Sequence, residues 1–195
     1  MGARVPVTRV EGPGARYALW VQGCSIRCPG CCNPHLFDAG LGEAIPVQVL
    51  LAEIAAVRAD IEGLTVLGGE PFDQAAEVAG LAAGTRALGL SVVVFSGYAL
   101  EELRARADPA VDAALGATDV LVDGRYEAAL PEPARRWAGS RNQRFHYLTG
   151  RYTDAIERVS AGDPLRAVEV RIGPDGRVQS NGWPVWPRVL PSGGR

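Results

Sequence analysis

All four cysteines of this 195-residue chain lie within nine residues, from Cys24 to Cys32. Thiols so close together in sequence are candidates for a shared metal centre. Cys28 and Cys31 bracket Pro29-Gly30, and proline followed by glycine predicts a type II turn. Such a turn would bring the Cα atoms of Cys28 and Cys31 within about 7 Å, and Cys24 is near enough in sequence to supply a third thiolate.

Three kinds of site agree with this spacing. An iron–sulfur cluster bound by three thiolates would leave one iron open for chemistry. A structural zinc ion would take the same three cysteines together with His35, but such sites usually have a second, distant ligand pair, and the other histidine, His146, stands alone. Structural or redox-active cysteines are the third alternative, although a disulfide is disfavoured in the reducing cytosol. The spacing favours the cluster.

Composition narrows the class of protein. A chain of 195 residues with 47% hydrophobic content is long enough for one well-buried domain. The formal net charge is −2, which gives no case for sequence-independent nucleic-acid binding. The N-terminus lacks the apolar region of a secretion signal, and no run of 18 apolar residues occurs. We therefore expect a cytoplasmic protein that is not embedded in a membrane.

Short apolar runs alternate with segments of helical periodicity along the first 123 residues. We expect strands at residues 17–22, 64–67, 91–95 and 119–122. We expect helices through residues 47–57 and 78–88 and after residue 99, with Asp73 as the N-cap of the second helix. The strands are apolar on both faces, which is typical of a parallel sheet covered by helices. The chain is thus predicted to be an α/β protein.

The end of each predicted strand is followed by polar or glycine-rich residues. These are the cysteine loop, Gly68-Gly69-Glu70-Pro71, Ser96-Gly97-Tyr98 and Asp123-Gly124-Arg125. In a parallel α/β sheet such loops share one edge, and that edge carries the active site. Since the strands number fewer than eight, we expect an incomplete (β/α) barrel.

The pattern changes beyond this region. Residues 127–143 form a long polar loop of the kind that is often functional. Residues 168–172 and 177–180 predict a β-hairpin, followed by a tail rich in proline and tryptophan. We therefore predict a main domain at residues 1–150 and a C-terminal extension at residues 151–195.

Several short motifs occur in a fixed order. They are Glu11-Gly12-Pro13-Gly14, Gln22-Gly23-Cys24, the Cys-x3-Cys-Pro-Gly-Cys loop, Gly68-Gly69-Glu70-Pro71, Ser96-Gly97-Tyr98, Val120-Leu121-Val122-Asp123-Gly124 and Trp137-Ala138-Gly139-Ser140-Arg141-Asn142-Gln143. This ordered set, from about residue 10 to about residue 143, resembles the radical S-adenosylmethionine (SAM) proteins that activate anaerobic ribonucleoside-triphosphate reductase. The resemblance implies a partial barrel of the radical SAM type.

The resemblance also implies the cofactors. Cys24, Cys28 and Cys31 would hold a [4Fe-4S] cluster whose open iron binds SAM. One-electron reduction would split SAM into methionine and a 5′-deoxyadenosyl radical, so no side-chain acid or base is expected in that step. Arg27 would tune the cluster potential or be a solvated surface charge.

The implied SAM contacts come from several loops. They are Gly30 and Cys32 for the adenine, Gly68, Gly69 and Glu70 for the ammonium group, and Ser96, Tyr98 and Asp123 for the ribose or the methionine moiety. Glycine at 68 and 69 lets backbone approach a ligand closely, although a tight β/α turn uses glycine too. Ser96, Tyr98 and Asp123 would equally serve as hydrogen-bonding groups that fix their loops.

The expected partner is a glycyl-radical enzyme, with a flavodoxin- or ferredoxin-type protein as electron donor. The radical would abstract hydrogen from a glycine of that partner, and residues 137–143 would line a groove for the peptide. Two features depart from the family: Cys32 stands where an aromatic residue is common, and about fifty residues follow the Ser-x-Asn-Gln loop. We read Cys32 as a non-ligand. The alternatives are a radical SAM enzyme acting on another peptide or small molecule, and a non-catalytic zinc or iron–sulfur interaction module.

Overall fold

The computed structural model describes residues 1–159, 165, 167–176 and 178–183. One six-stranded sheet contains β1 (Ala3–Thr8), β2 (Arg16–Val21), β3 (Gly63–Gly68), β4 (Ser91–Phe95), β5 (Val120–Asp123) and β6 (Arg144–Tyr147). The strands lie in sequence order, with β2 to β5 parallel and β1 and β6 antiparallel at the two edges. The predicted α/β class with a mainly parallel sheet is confirmed.

The sheet is open rather than closed into a barrel. Among the described residues no strand pairing joins β1 to β6. The described residues contain four α-helices: α1 (Val47–Ala56), α2 (Ala75–Ala87), α3 (Leu100–Ala105) and α4 (Pro109–Gly116). None of the helices in the described part of the chain is long and apolar enough to cross a membrane.

The two faces of the sheet pack differently. Tyr17, Leu19 and Val21 of β2 join the main core, which includes residues from all four helices. The intervening Ala18 and Trp20 point to the opposite face. There they form a smaller cluster with Val5 of β1 and with Leu36, which follows the cysteine loop. This alternation follows from the two-residue period of a strand. The cluster on this second face contains no residue of the four α-helices, and we call that side of the sheet the helix-free face.

One predicted cap is wrong. Asp73 was expected to begin the second helix, but a 3-10 turn, Pro71–Gln74, precedes α2, and Gln74 is its N-cap residue. Glu70 caps that turn instead, because its carboxylate accepts a hydrogen bond from Phe72 N at 2.9 Å. Proline at the first position of the turn favours this early start, since it has no N–H that needs a partner.

The predicted C-terminal hairpin is confirmed as a separate two-stranded sheet. It consists of β7 (Val168–Ile172) and β8 (Val178–Gly182), which pair antiparallel. The hairpin contacts the end of β1 through hydrogen bonds from Arg171 to Val7 O and from Arg9 N to Glu169. The Pro/Trp-rich tail lies outside the described residues from position 184 onward.

Candidate cluster and cofactor site

The cysteine loop contains the predicted turn. Cys31 N donates to Cys28 O at 3.2 Å, and Gly30 has a φ of +76°, as position i+2 of a type II turn requires. This turn prediction is confirmed. Arg27, just before the turn, also has a positive φ of +52°, and its Nε donates to Cys24 O at 3.4 Å. The loop is thus folded on itself between its first and second cysteines.

Asp73 and Ser25 anchor the cysteine loop to the 3-10 turn that precedes α2. The Asp73 carboxylate accepts from Ser25 N at 2.8 Å and from Ser25 Oγ at 2.9 Å, and Tyr98 OH lies 2.7 Å from Ser25 Oγ. Ser25 follows Cys24 directly, so these bonds fix the position of the first thiol. No local sequence pattern predicts this pair, because Asp73 and Ser25 are 48 residues apart.

A cavity of about 720 Å³ lies at the carboxyl ends of the parallel strands. Eight of the predicted site residues line it: Cys24, Cys28, Cys31, Cys32, Gly68, Gly69, Glu70 and Ser96. Three others, Gly30, Tyr98 and Asp123, are not part of its lining. The strand-end loops therefore meet at one edge, as the parallel arrangement predicts.

The thiols of the loop have different acidities. Cys32 donates a hydrogen bond to Cys31, which lowers the pKa of Cys31 to about 6. The N–H of Asn33 also points to this sulfur, with N···S 3.4 Å. Burial raises the pKa of Cys24, and backbone N–H groups of the loop oppose that rise. Thiolates are the form that binds iron, and the hydrogen bonds at Cys31 favour that form at this sulfur.

A zinc ion and an iron–sulfur cluster place different geometric demands on their ligands. Within the part of the chain described above, no three His, Cys, Asp or Glu side chains come close enough to hold a metal ion. A structural zinc ion needs four ligands around a single point. A cluster spreads its thiolates over separate iron atoms, so it tolerates a wider arrangement of sulfurs.

Protein packing requires the two glycines at the end of β3, Gly68 and Gly69. A Cβ at Gly69 would lie 2.0 Å from Gly23 O, and one at Gly68 would lie 2.7 Å from the Trp20 Cα. Gly68 also has a φ of +109°. The close approach that glycine permits here is therefore to the end of β2 and the cysteine loop. Contact of these glycines with SAM stays a prediction.

Glu70 is almost fully buried beneath the cavity, at 1% exposure. Its carboxylate accepts from Phe72 N, from Ser96 Oγ at 2.8 Å and from Gly97 N at 2.8 Å. Burial raises the pKa of Glu70 to about 7. The side chain links the loop after β3 to the loop after β4, and it positions Ser96 at the cavity wall.

Asp123 and Tyr98 stabilise loops outside the cavity. Asp123 Oδ2 accepts from Leu100 N at 2.6 Å and from Arg144 Nη2 at 2.8 Å, and it lies 2.8 Å from His146 Nε2. His146, which lies in β6, is thus a hydrogen-bond partner of the buried Asp123 carboxylate in β5. The Arg106 guanidinium lies 3.9 Å above the Tyr98 ring. Both of these predicted cofactor residues have structural partners in place.

The far wall of the cavity comes from two segments beyond β5. Trp137, Gly139 and Gln143 line it from the polar loop, and Trp137 has a φ of +60°. The Gln143 side chain accepts from Gly139 N at 2.7 Å, which holds this part of the loop in shape. The hairpin adds a second segment, which includes Val168 and residues 179–183. Of the segment 137–143, residues 137–139 and 143 line the cavity, and a role as the wall of a peptide groove stays a prediction.

Comparison with known proteins places the chain among iron–sulfur proteins. The family model described as "4Fe-4S single cluster domain" matches residues 10–146. A protein of Salmonella typhimurium is 33% identical over 150 residues, covering 73% of this chain and 95% of the relative. A protein of Escherichia coli K12 has the same identity and coverage, and one of enterobacteria phage T4 is 32% identical over 145 residues, covering 71% and 88%. Each is named anaerobic ribonucleoside-triphosphate reductase-activating protein.

Proposed function

This chain belongs to the 4Fe-4S single cluster domain family and to the anaerobic ribonucleoside-triphosphate reductase-activating proteins, and we propose that it installs a glycyl radical on a partner reductase of that kind. The observation that carries the proposal is the placement of Cys24, Cys28 and Cys31 in one cavity at the sheet edge. The alignment to 95% of two relatives supports a shared activity rather than a shared fragment.

The proposed chemistry is of the radical SAM type, on a partial barrel. When bound, a [4Fe-4S] cluster supplies one electron that splits SAM into methionine and a 5′-deoxyadenosyl radical. Cys24, Cys28 and Cys31 would hold the cluster through their thiolates, and the N–H of Asn33 at the Cys31 sulfur favours the charged form of that sulfur.

The SAM-binding residues are proposed from the lining of the cavity. Gly68, Gly69 and Glu70 would meet the amino-acid end of SAM. Internal donors already occupy the Glu70 carboxylate, so backbone carbonyls of this segment would receive the ammonium group. Ser96 would contact the ribose or methionine moiety. Gly30 and Cys32 would contact the adenine. Tyr98 and Asp123 would act on these groups by positioning their loops.

The partner reductase would bring a glycine-containing segment into the cavity beside residues 137–143. An electron donor of the flavodoxin or ferredoxin type would reduce the cluster. We place this reaction in the cytoplasm, without a role for nucleic acid or membrane, in keeping with the near-neutral net charge of −2.

The test uses the anaerobically reconstituted protein with dithionite, SAM and the candidate reductase. We expect 5′-deoxyadenosine as a product and a glycyl radical on the reductase by electron paramagnetic resonance. 5′-Deoxyadenosine without a glycyl radical would favour a radical SAM enzyme that acts on another peptide or small molecule. A colourless, zinc-containing protein that leaves SAM intact would favour an interaction module and end the proposal.

A further inference from the structure

The C-terminal hairpin turns Arg171 and Asn181 inward and a set of apolar side chains outward, with Ser180 on the same outward face. Asn181, on the inward face, donates to Thr8 Oγ1 at 2.9 Å, and the inward-facing Arg171 donates to Val7 O at 2.7 Å. The outward face carries Val168, Val170, Ile172 and Val178, with exposures of 38%, 58%, 74% and 65%. We call these four residues the hairpin stripe. An antiparallel sheet normally turns its apolar face to the core, so an apolar face that is exposed indicates a contact surface.

Specific contacts hold the hairpin in place. Glu11, in the turn between β1 and β2, accepts from Gly182 N at 2.6 Å and from Asn181 Nδ2 at 3.1 Å. The Trp183 ring lies 6.2 Å from the Tyr126 ring, centroid to centroid. A Cβ at Gly139 would lie 3.0 Å from Trp183, so glycine there leaves room for the indole. The hairpin is therefore fixed relative to the cavity.

The hairpin stripe begins at the rim of the cavity. Val168 belongs to the stripe and also lines the cavity, together with residues 179–183 of the same hairpin. Residues 170, 172 and 178 continue the apolar surface away from the rim, since Val170 and Ile172 follow Val168 on the same face and Ile172 pairs with Val178. A molecule that fills the cavity mouth would meet the stripe next.

We infer that the hairpin stripe is a docking surface for the protein whose segment enters the cavity, a partner that presents exposed aliphatic or aromatic side chains beside that segment. This inference rests on the proposed function, since a peptide segment must reach the cavity from a larger protein. The family model ends at residue 146, so the hairpin lies outside the shared region and can serve recognition in this chain.

A second copy of the chain fits the stripe less well. Four aliphatic side chains of this exposure offer at most a few hundred Å², whereas a stable interface buries about 800 Å² on each partner. A protein substrate gains the remaining area at the cavity itself. The stripe then extends a contact that the reaction already requires.

The experiment compares initial rates of glycyl radical formation at increasing reductase concentration, with anaerobically loaded full-length protein. In the variant Val170→Thr/Ile172→Thr the side chains stay β-branched, so the strand is retained while the surface becomes polar. We expect the KM for the reductase to rise about tenfold, as for loss of apolar contacts at an interface. Iron content and SAM cleavage without the reductase should not change.

Two control variants separate docking from folding. Val170→Leu/Ile172→Leu keeps the surface apolar and should leave the KM within about twofold of the original. Val49→Thr makes the same chemical change on α1, at a residue that is 46% exposed and absent from the cavity lining, and should leave the KM unchanged. An effect of equal size in both threonine variants would contradict the inference.

Other results would overturn the inference in distinguishable ways. No glycyl radical with the unaltered chain would remove the proposed function and the inference with it. A radical that forms with the same KM in Val170→Thr/Ile172→Thr would remove the inference alone. A dimer that this variant dissociates in sedimentation would assign the stripe to a second copy. Faster hydrogen exchange at the stripe after deletion of residues 184–195 would assign it to the chain's own tail.

Discussion

At the scale of single residues, the adjacent thiols of Cys31 and Cys32 have different roles. Cys31 closes the turn with Cys28, whereas Cys32 lies just outside that turn and donates to the Cys31 sulfur. Three thiolates suffice for a cluster that keeps one iron open. A fourth thiol next to the third is therefore better placed to adjust its neighbour than to bind iron.

This assignment predicts a clear difference between two single substitutions. Cys32→Ser should keep most of the bound iron, because the serine hydroxyl preserves a donor to the Cys31 sulfur. Cys31→Ala should lose both the iron and SAM cleavage. Iron per chain and absorption near roughly 400 nm after anaerobic reconstitution measure the outcome. Equal loss of iron in both variants would show that Cys32 is a ligand.

Glu70 predicts a dependence of stability on pH. Burial raises its pKa to about 7 from an ordinary value of 4.5, so the folded protein binds this proton more tightly than the unfolded chain. The stabilisation from Glu70 is then fully present below about pH 4.5 and is lost as the pH rises through about 7. Glu70→Gln removes this contribution, whereas Asp73 and the other nearby acids remain in both proteins.

Chemical denaturation of the metal-free protein between pH 5 and pH 8 measures this effect. We expect the free energy of unfolding of Glu70→Gln to rise relative to the unaltered protein by on the order of 3 kcal/mol across that window. The glutamine amide can also change the free energy of unfolding by an amount that is the same at every pH. Such an offset does not alter how the difference between the two proteins varies with pH. Parallel pH curves for the two proteins would contradict the raised pKa.

At the scale of elements, periodicity located the parallel strands well. The expected strands at 17–22, 64–67, 91–95 and 119–122 agree with β2 to β5 to within a residue or two at each end. The residues of these strands are apolar on both faces because each face of the sheet packs in a hydrophobic cluster. A run of apolar residues is a local feature of the sequence, so it could be recognised without the structure. The strand order, which the structure shows to follow the chain order, was not predicted from the sequence.

Elements that depend on distant contacts left little trace in the sequence. β6 reads Arg-Phe-His-Tyr and becomes a strand because Arg144 and His146 pair with the buried Asp123 on β5. The anchor between Ser25 and Asp73 spans 48 residues and depends on where α2 starts. The cysteines and strand-end loops of the site were predictable because their motifs are contiguous. The hairpin wall was not, because its place relative to the cavity is set by contacts with β1.

The loop after β3 packs tightly against the residue that precedes the first cysteine of the cysteine loop. A Cβ at Gly69 would meet Gly23 O at 2.0 Å and its carbonyl carbon at 2.8 Å, and both are backbone atoms that cannot turn aside. Gly23 directly precedes Cys24. We therefore expect Gly69→Ala to displace the first thiol and to lower the iron content after reconstitution, besides weakening SAM binding.

Gly80→Ala is the matched control for this substitution. Its Cβ would meet only Val47 Cγ1, at 3.8 Å, and the residue lies inside α2. Alanine there should raise the free energy of unfolding by up to about 1 kcal/mol and leave the iron content unchanged. Iron retention in Gly69→Ala equal to that in Gly80→Ala would contradict the packing role of Gly69.

At the scale of the whole molecule, a buried arginine ties the C-terminal segment to the sheet. Arg16 is fully buried, and its guanidinium donates to Ser91 Oγ at 2.5 Å, to Thr65 Oγ1 at 3.1 Å and to Tyr152 OH at 3.3 Å. Burial lowers the pKa of Arg16 to about 10. Tyr152 lies beyond the domain boundary expected at residue 150.

Further contacts extend past that boundary. Ile156 and Tyr152 pack against the cluster of Val93, Val120 and Val122 on the helix-free face. Tyr147 OH donates to Glu157 at 2.7 Å. We propose that the main domain continues to about residue 159, and that residues 151–159 complete its core rather than begin an extension.

Two truncated chains, 1–150 and 1–159, test this placement because both lack the hairpin and differ only in the nine residues at issue. The shorter chain loses the Tyr152 hydroxyl next to a buried guanidinium and the apolar cover over β4 and β5. We expect its free energy of unfolding to be lower by at least about 2 kcal/mol. In the full chain, Tyr152→Phe should cost about 1 kcal/mol through the hydroxyl alone. Equal stability of the two truncated chains in urea denaturation would place the boundary at residue 150 and would leave Arg16 satisfied by Thr65, Ser91 and the backbone alone.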